Sequence, residues 1–113
     1  MGIQTWANSI LYVDLASGPA FAEDLSELLD RAHAATPPDI VLDMGRVAHV
    51  VSSNLTQLLQ LRKLALASHF KIVIVCVPET LWSVFLTTGL DRLFDFAPDA
   101  ATALAKLSLT NRD

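Results

Sequence analysis

Apolar and polar positions along this chain change period several times, and each change predicts an element. Residues Ile3 to Trp6 and Ser9 to Leu15 read as two extended segments joined near Ala7-Asn8. Within the second, Ile10, Tyr12 and Asp14 alternate against Leu11, Val13 and Leu15. This predicts a hairpin that places an antiparallel strand at the edge of a sheet. Ser17-Gly18-Pro19 then breaks the run, and Pro19 suits the first position of a helix. From Ala20 to Ala35 the apolar residues Phe21, Leu25, Leu28 and Ala32 recur at helical spacing, with Glu23, Asp24, Glu27, Asp30 and Arg31 on the other side. That acidic face is either solvated or a surface for a basic partner. Thr36-Pro37-Pro38 ends the helix, because a residue before proline is driven out of the α region.

The central stretch, Asp39 to Leu66, organises the rest. Ile40-Val41-Leu42 is a β-branched apolar run ending in Asp43-Met44-Gly45, and Ser52-Ser53-Asn54 opens a segment with leucines at helical spacing. The order is strand, loop, helix N-terminus. Leu55, Leu58, Leu59, Ala65 and Leu66 are expected to face the sheet. Leu61 and Leu64 fall off that stripe, either as flanking core or as an apolar contact surface near the serines. Arg62 points along the stripe and snorkels at its edge.

Lys71 to Val77 is apolar on both faces after its lysine, as in a strand covered on both sides. Pro78 and Glu79 start a helix through Thr88 with Leu81, Val84, Phe85 and Thr88 inward. Trp82 and Leu86 are rotated away, and Trp82 is either a packed edge residue or an anchor for a partner. Gly89 is the expected left-handed stop. Leu93 to Ala97 adds a short strand, and Pro98-Asp99 opens a last helix, Ala100 to Leu107, that packs Ala103, Leu104 and Leu107. Strands alternating with helices indicate one α/β domain over residues 1–109, with a mixed sheet of about four to five strands and about four helices. Residues 110–113 are expected to fray.

Composition narrows the function classes. A length of 113 residues with 52% hydrophobic positions fills one core, while 18% charged residues leave much of the surface neutral. Mean hydropathy of +0.43 fits a domain that keeps some apolar surface for a partner. The net charge of -4 and a pI near 5.1 argue against nucleic acid as partner, because binding to a phosphate backbone requires a clustered basic surface. The eight Lys and Arg are scattered in sequence, with only Arg62-Lys63 adjacent. The one cysteine, Cys76, lies in an apolar run, permits no intramolecular disulfide and reads as an inert core residue. The first basic residue is Arg31 and Asp14 interrupts the early apolar run, so no signal peptide is expected. No apolar stretch approaches the roughly 18 residues of a membrane span. A cytoplasmic protein, not embedded in a membrane, is the expectation.

The junction at Ser52 carries the chemistry. The first turn of a helix holds N–H groups without intrahelical partners and the positive end of the dipole, so it accepts a side-chain oxygen or a phosphate. Ser52, Ser53 and Asn54 are all good caps, and Asn54 with Gln57 imitates a capping box, so the sequence leaves the cap open. Asp43, the loop, the serine pair and the leucine-rich helix resemble the STAS domain family, the fold of bacterial anti-sigma factor antagonists. Members read approximately D-x-S-x-V-x-F-I-D-S-S-G-L here, where this chain has Asp43-Met44-Gly45-Arg46-Val47-Ala48-His49-Val50-Val51-Ser52-Ser53-Asn54-Leu55. The later G-L-D-R-L-F box is present unchanged as Gly89-Leu90-Asp91-Arg92-Leu93-Phe94. Two positions depart from the pattern, Val51 replacing an acidic residue and Asn54 replacing glycine.

The resemblance implies a non-enzymatic regulator that binds an anti-sigma factor or GHKL-type serine kinase through Val51, Ser52, Ser53, Asn54, Gln57 and Leu61. It also implies Ser52, less so Ser53, as phosphate acceptor. Val51 supplies no carboxylate to orient that hydroxyl, and Asn54 adds a side chain where a partner's backbone would approach. The alternative is an accessory subunit of a lipid-transport ABC complex or a signalling assembly, with a transporter ATPase as partner and no phosphate chemistry. A small-ligand sensor holding an anion at the same helix N-terminus is a third reading, without a cofactor motif behind it.

Other chemistry finds little footing. Asp43, His49 and Ser52 or Ser53 are the residue types of a catalytic triad, but Gly-x-Ser-x-Gly is missing. His33, His49 and His69 are too dispersed for a metal site legible in sequence, and the four glycines form no phosphate loop. No metal and no cofactor are expected.

Overall fold

The computed structural model describes residues 3–6, 10–33 and 37–110. In chain order these form β1 (Ile3–Trp6), β2 (Ile10–Ala16), α1 (Pro19–Ala32), β3 (Asp39–Arg46), α2 (Ser52–Ser68), β4 (Ile72–Val75), α3 (Glu79–Thr88), a 3-10 turn (Leu90–Arg92), β5 (Asp95–Ala97) and α4 (Ala100–Thr110). The sheet order follows the sequence, β1-β2-β3-β4-β5. β1 runs antiparallel to β2, and β2 to β5 run parallel. Each parallel step requires a crossover, which α1, α2 and α3 supply. The result is a single α/β domain with four parallel strands and four α-helices.

Alternation along the strands divides the core into two layers. Ile40, Leu42 and Met44 of β3 and Ile72 and Ile74 of β4 pack with Phe21, Leu25 and Leu28 of α1, Leu58 and Leu61 of α2, and Leu81 and Phe85 of α3. The intervening Val41, Val73 and Val75 face the other way, onto Ala103 and Leu107 of α4. Residues 40–42 of β3 and the whole of β4 are therefore buried on both faces, and both runs are continuously apolar. The buried Asp39 ties the entry of β3 to β4: its Oδ1 accepts from Lys71 N at 2.8 Å, while Ile40 N donates to Lys71 O at 2.8 Å.

The elements follow the sequence closely, with differences at several ends and in which residues turn inward; Thr88, expected to face inward on α3, is exposed. α1 starts at Pro19 after Gly18, whose φ of 79° requires a residue without Cβ. It ends at Ala32, earlier than the predicted Ala35, with His33 as its cap. Residues 34–36, including Thr36, lie outside the described residues, as do Ala7, Asn8 and Ser9 of the hairpin connection. Asp24, assigned to the polar face of α1, is only 6% exposed, so the solvated acidic stripe is narrower than the pattern suggests.

β4 ends at Val75. Cys76 lies beyond it in a bend with φ of 58° and half-buried, and so is not an interior strand residue. At the C-terminus, Thr110 is the last residue of α4, and residues 111–113 lie outside the described residues.

The largest difference is the rotation of α2. Its buried residues are Asn54, Leu58, Leu61 and Ala65, spaced i, i+4, i+7 and i+11. Leu61 is completely buried, whereas Leu59 and Leu66, expected to face the sheet, are 42% and 61% exposed. This rotation yields a direct test. Leu61→Ala is expected to lower unfolding free energy by about 2–5 kcal/mol, the range for a large-to-small change in a packed core. Leu66→Ala is expected to change it by less than about 0.5 kcal/mol. Urea denaturation of the two variants reads both values.

Candidate functional site

The loop between β3 and α2 is held at several points, and those points decide what the serines face. Val47 N donates to Met44 O at 3.0 Å, closing a turn at the end of β3, and the Val47 side chain is buried in the core. Ala48 N donates to Ser17 Oγ at 2.7 Å, which fastens the loop to the β2–α1 connection. Val50 packs half-buried against the core. The chain between strand and helix is thus pinned before it reaches Ser52.

The cap of α2 is Val51, in extended conformation with φ of -110° and ψ of 168°. Valine has no side-chain acceptor, so none of the three candidate polar caps occupies the cap position. Asn54 acts from inside the helix instead. Its Oδ1 accepts from Val51 N at 3.0 Å, the reciprocal half of a capping box, and its side chain is turned inward with 7% exposure. Val51 O accepts from Asn54 N at 2.9 Å and Leu55 N at 3.2 Å, completing the first turn. Ser52 and Ser53 are the first two helical residues and both are exposed, at the end where the dipole is positive.

The predicted contact residues divide sharply. Val51, 54% exposed, lies with Ser52 and Ser53 on the accessible surface. Gln57 is half-buried against α1, its Nε2 donating to Ala22 O at 3.2 Å. Leu61 belongs to the core and is removed from any contact surface, a correction that follows from the rotation of α2. Asn54 is likewise turned away from a partner. The residue missed by the sequence reading is Leu59, which with Val51 and the half-buried Leu55 forms an apolar stripe descending from the serines at i, i+4 and i+8. Leucines stand on every side of α2, so periodicity alone gives that helix no orientation.

A second cluster reaches across β2, β3 and the residue after β4. Tyr12 OH donates a hydrogen bond to Asp43 Oδ2, and Gly45 N donates to Asp43 Oδ1 at 2.8 Å. A Cβ on Gly45 would stand 3.1 Å from that Oδ1 and 3.6 Å from Cys76 Cβ, so the position is tight against both. Burial, followed by the Asp43 carboxylate that accepts its proton, pushes the Tyr12 hydroxyl well above the ordinary tyrosine value. Burial and the charge of Asp43 also push the Cys76 thiol up, away from the reactive thiolate. Asp43 thus works as a brace between strands, and His49 stands exposed on the loop; these contacts do not build the triad arrangement weighed from sequence. Among the described residues no group of three His, Cys, Asp or Glu side chains is placed to hold a metal ion. Among the same residues no helix is long and apolar enough to cross a membrane.

A family model described as the STAS domain matches residues 12–103. The chain belongs to the STAS domain family. No curated protein sequence matches it. Solved structures share its fold at low identity. A serine-to-glutamate variant of RsbS from Moorella thermoacetica has 18% identity and a TM-score of 0.83, covering 98% of this chain and 97% of that one. A putative anti-sigma factor antagonist from Thermotoga maritima has 15% identity and a TM-score of 0.78, covering 92% of this chain and 91% of that one. SpoIIAA of Bacillus in its phosphorylated form has 14% identity and a TM-score of 0.74, covering 93% and 96%.

Within this STAS domain the two departures from the family pattern have distinct physical consequences. Asn54, in place of glycine, folds onto its own helix, so the added side chain does not project from the surface. Val51, in place of an acidic residue, is exposed and extends the apolar stripe up to the serines.

Two predictions follow from these contacts. Asn54→Ala is expected to lower stability by about 1 kcal/mol through loss of the bond to Val51 N, read by urea denaturation, with Asn54→Asp retaining most of it. Tyr12 is protonated more strongly in the folded than in the unfolded chain. Its contribution is therefore complete below the unfolded value of about 10 and is lost as pH rises above it. Thermal melts from about pH 9 to about pH 11 are expected to show a falling Tm in the parent and a shallower fall in Tyr12→Phe.

Proposed function

We propose that this STAS domain is a non-enzymatic regulator of the anti-sigma factor antagonist type, binding an anti-sigma factor or a GHKL-type serine kinase through Val51, Ser52 and Ser53. The single observation behind this reading is the presentation of the two serines. The loop before them is pinned and Asn54 locks the turn beneath them, so two hydroxyls and the apolar stripe of Val51, Leu55 and Leu59 meet on one accessible surface. An apolar stripe beside small polar groups suits a protein partner, because burial of leucine side chains supplies affinity and the hydroxyls supply a switch.

Ser52 is the proposed phosphate acceptor. A phosphoryl group there adds about 1.5 to 2 negative charges next to the positive end of the α2 dipole. The helix tolerates that charge, so phosphorylation alters the docking surface without unfolding it. The kinase that docks here would transfer the phosphoryl group to Ser52 Oγ and then be repelled by it.

The test is incubation of the chain with a cognate kinase and ATP, followed by mass spectrometry. A single phosphoryl mass addition is expected on Ser52, absent in Ser52→Ala and retained in Ser53→Ala. Leu59→Asp is expected to weaken partner binding at least about tenfold while leaving Tm unchanged, since the residue is exposed. Binding of the kinase without any mass addition would overturn the switch and leave the docking role. Affinity capture of a transporter ATPase in place of a kinase would overturn the antagonist reading and favour an accessory subunit.

A further inference from the structure

The basic residues are scattered in sequence, but the fold collects three of the eight into one cleft. Arg62, Lys71 and Arg92 come from α2, from the residue before β4, and from the 3-10 turn; together they line a cleft of about 180 Å³. Its floor is apolar, with Phe70, Ile72 and Phe94 buried beneath it. The cleft lies at the far end of α2 from the serines, since the ten residues from Ser52 to Arg62 span about 15 Å of helix.

The three cations lack the partners that other basic residues have. Arg31 pairs with Glu27 at 3.0 Å and Arg46 with Asp14 at 3.6 Å, whereas none of Arg62, Lys71 and Arg92 forms an ion pair among the described residues. Asp95 lines the same cleft without pairing to any of them. Arg62 is anchored through its side chain, and Lys71 and Arg92 through their backbones. Arg62 Nε donates to Leu93 O at 2.9 Å, Lys71 has its backbone N–H and C=O both bonded across to β3, and Arg92 N donates to Gly89 O at 3.2 Å. Three positive side chains and the one carboxylate of Asp95 line the cleft, so it is positive on balance in a chain of net charge -4 and favours an anion.

The chemistry of the lining selects the anion. Two guanidinium groups offer forked donors matched to phosphate oxygens, and the ammonium adds a third positive charge, which suits a dianion better than a monocarboxylate. At about 180 Å³ the cleft suits a small ligand. We propose that this cleft binds a phosphate monoester carried on a small apolar group, with Arg62, Lys71 and Arg92 on the phosphate and Phe70 and Phe94 beneath the apolar part. The proposal is independent of the docking role assigned to the serine end of α2.

The test uses phenyl phosphate as probe and amide chemical shifts of the isotopically labelled full chain as readout. Saturable shifts are expected on amides of residues 62–72 and 92–95, with affinity falling at least about tenfold in Arg92→Gln and in Lys71→Gln, equivalent to about 1.4 kcal/mol. Inorganic phosphate is expected to bind about tenfold more weakly, because it has no apolar part to bury. Both variants alter exposed side chains, and an unchanged Tm shows that loss of binding is not loss of fold. Sedimentation with vesicles containing phosphatidic acid separates the sources. Pelleting that phenyl phosphate competes away assigns a lipid headgroup as the monoester, and absence of pelleting assigns a free one. Shifts that fail to saturate, shifts unchanged in the two variants, or pelleting that phenyl phosphate does not compete would each overturn the proposal.

Discussion

Burial of β3 on both faces is the constraint from which the rest of the structure follows. A strand that presents Ile40, Leu42 and Met44 to one side and Val41 to the other requires cover on both. Three helices supply the first layer, and α4 alone supplies the second. At about 25 cal/mol per Å² of apolar surface, such burial is the main favourable term available to a domain of this size. The crossovers that bring the helices into place also return the chain to the same end of the sheet each time. Every β–α loop of the parallel strands therefore emerges at one end of the sheet, where open α/β sheets carry their sites.

The serine end of α2 inherits its geometry from that packing. Leu58 and Leu61 enter the layer beneath the helix, and this fixes which way the helix is turned. Asn54 and Gln57 fall on the inner side with them, Asn54 placing its Oδ1 on the first turn and Gln57 its Nε2 on α1. Val51, Ser52, Ser53 and Leu59 fall on the outer side. The same rotation carries Arg62 to the other end, where Leu93 holds it over the cationic cleft. One helix thus presents a neutral, exposed surface at its start and a charged cleft near its end.

The brace of Tyr12, Asp43 and Gly45 shows a polar group used inside this scheme. Asp43 directly follows the doubly buried run of β3, and both carboxylate oxygens accept hydrogen bonds from neighbours. A half-buried carboxylate is tolerated when it is satisfied in this way. Its place before the loop had suggested chemistry with His49 and a serine. The structure instead gives it a role in holding adjacent strand ends together beside the loop that leads to the site.

The sequence alone determined the order of elements, the hairpin edge, the strand that is apolar on both faces and the two breaks at Gly18-Pro19 and Gly89. These depend on local steric preference and on periods of two or 3.6 residues, which a linear pattern records directly. It also placed the serines at a helix start, because the switch from an apolar run to spaced leucines marks that boundary. The tertiary structure decided which face of α2 is buried. With leucines at positions 55, 58, 59, 61, 64 and 66, every orientation offers apolar residues to the sheet, and only the fit against α1 and β3 selects one. Local pattern likewise could not show that Ala48 is tied to Ser17 or that Arg62, Lys71 and Arg92 converge. Those are relations set by how separate elements dock, and neighbours in space leave no period in the chain.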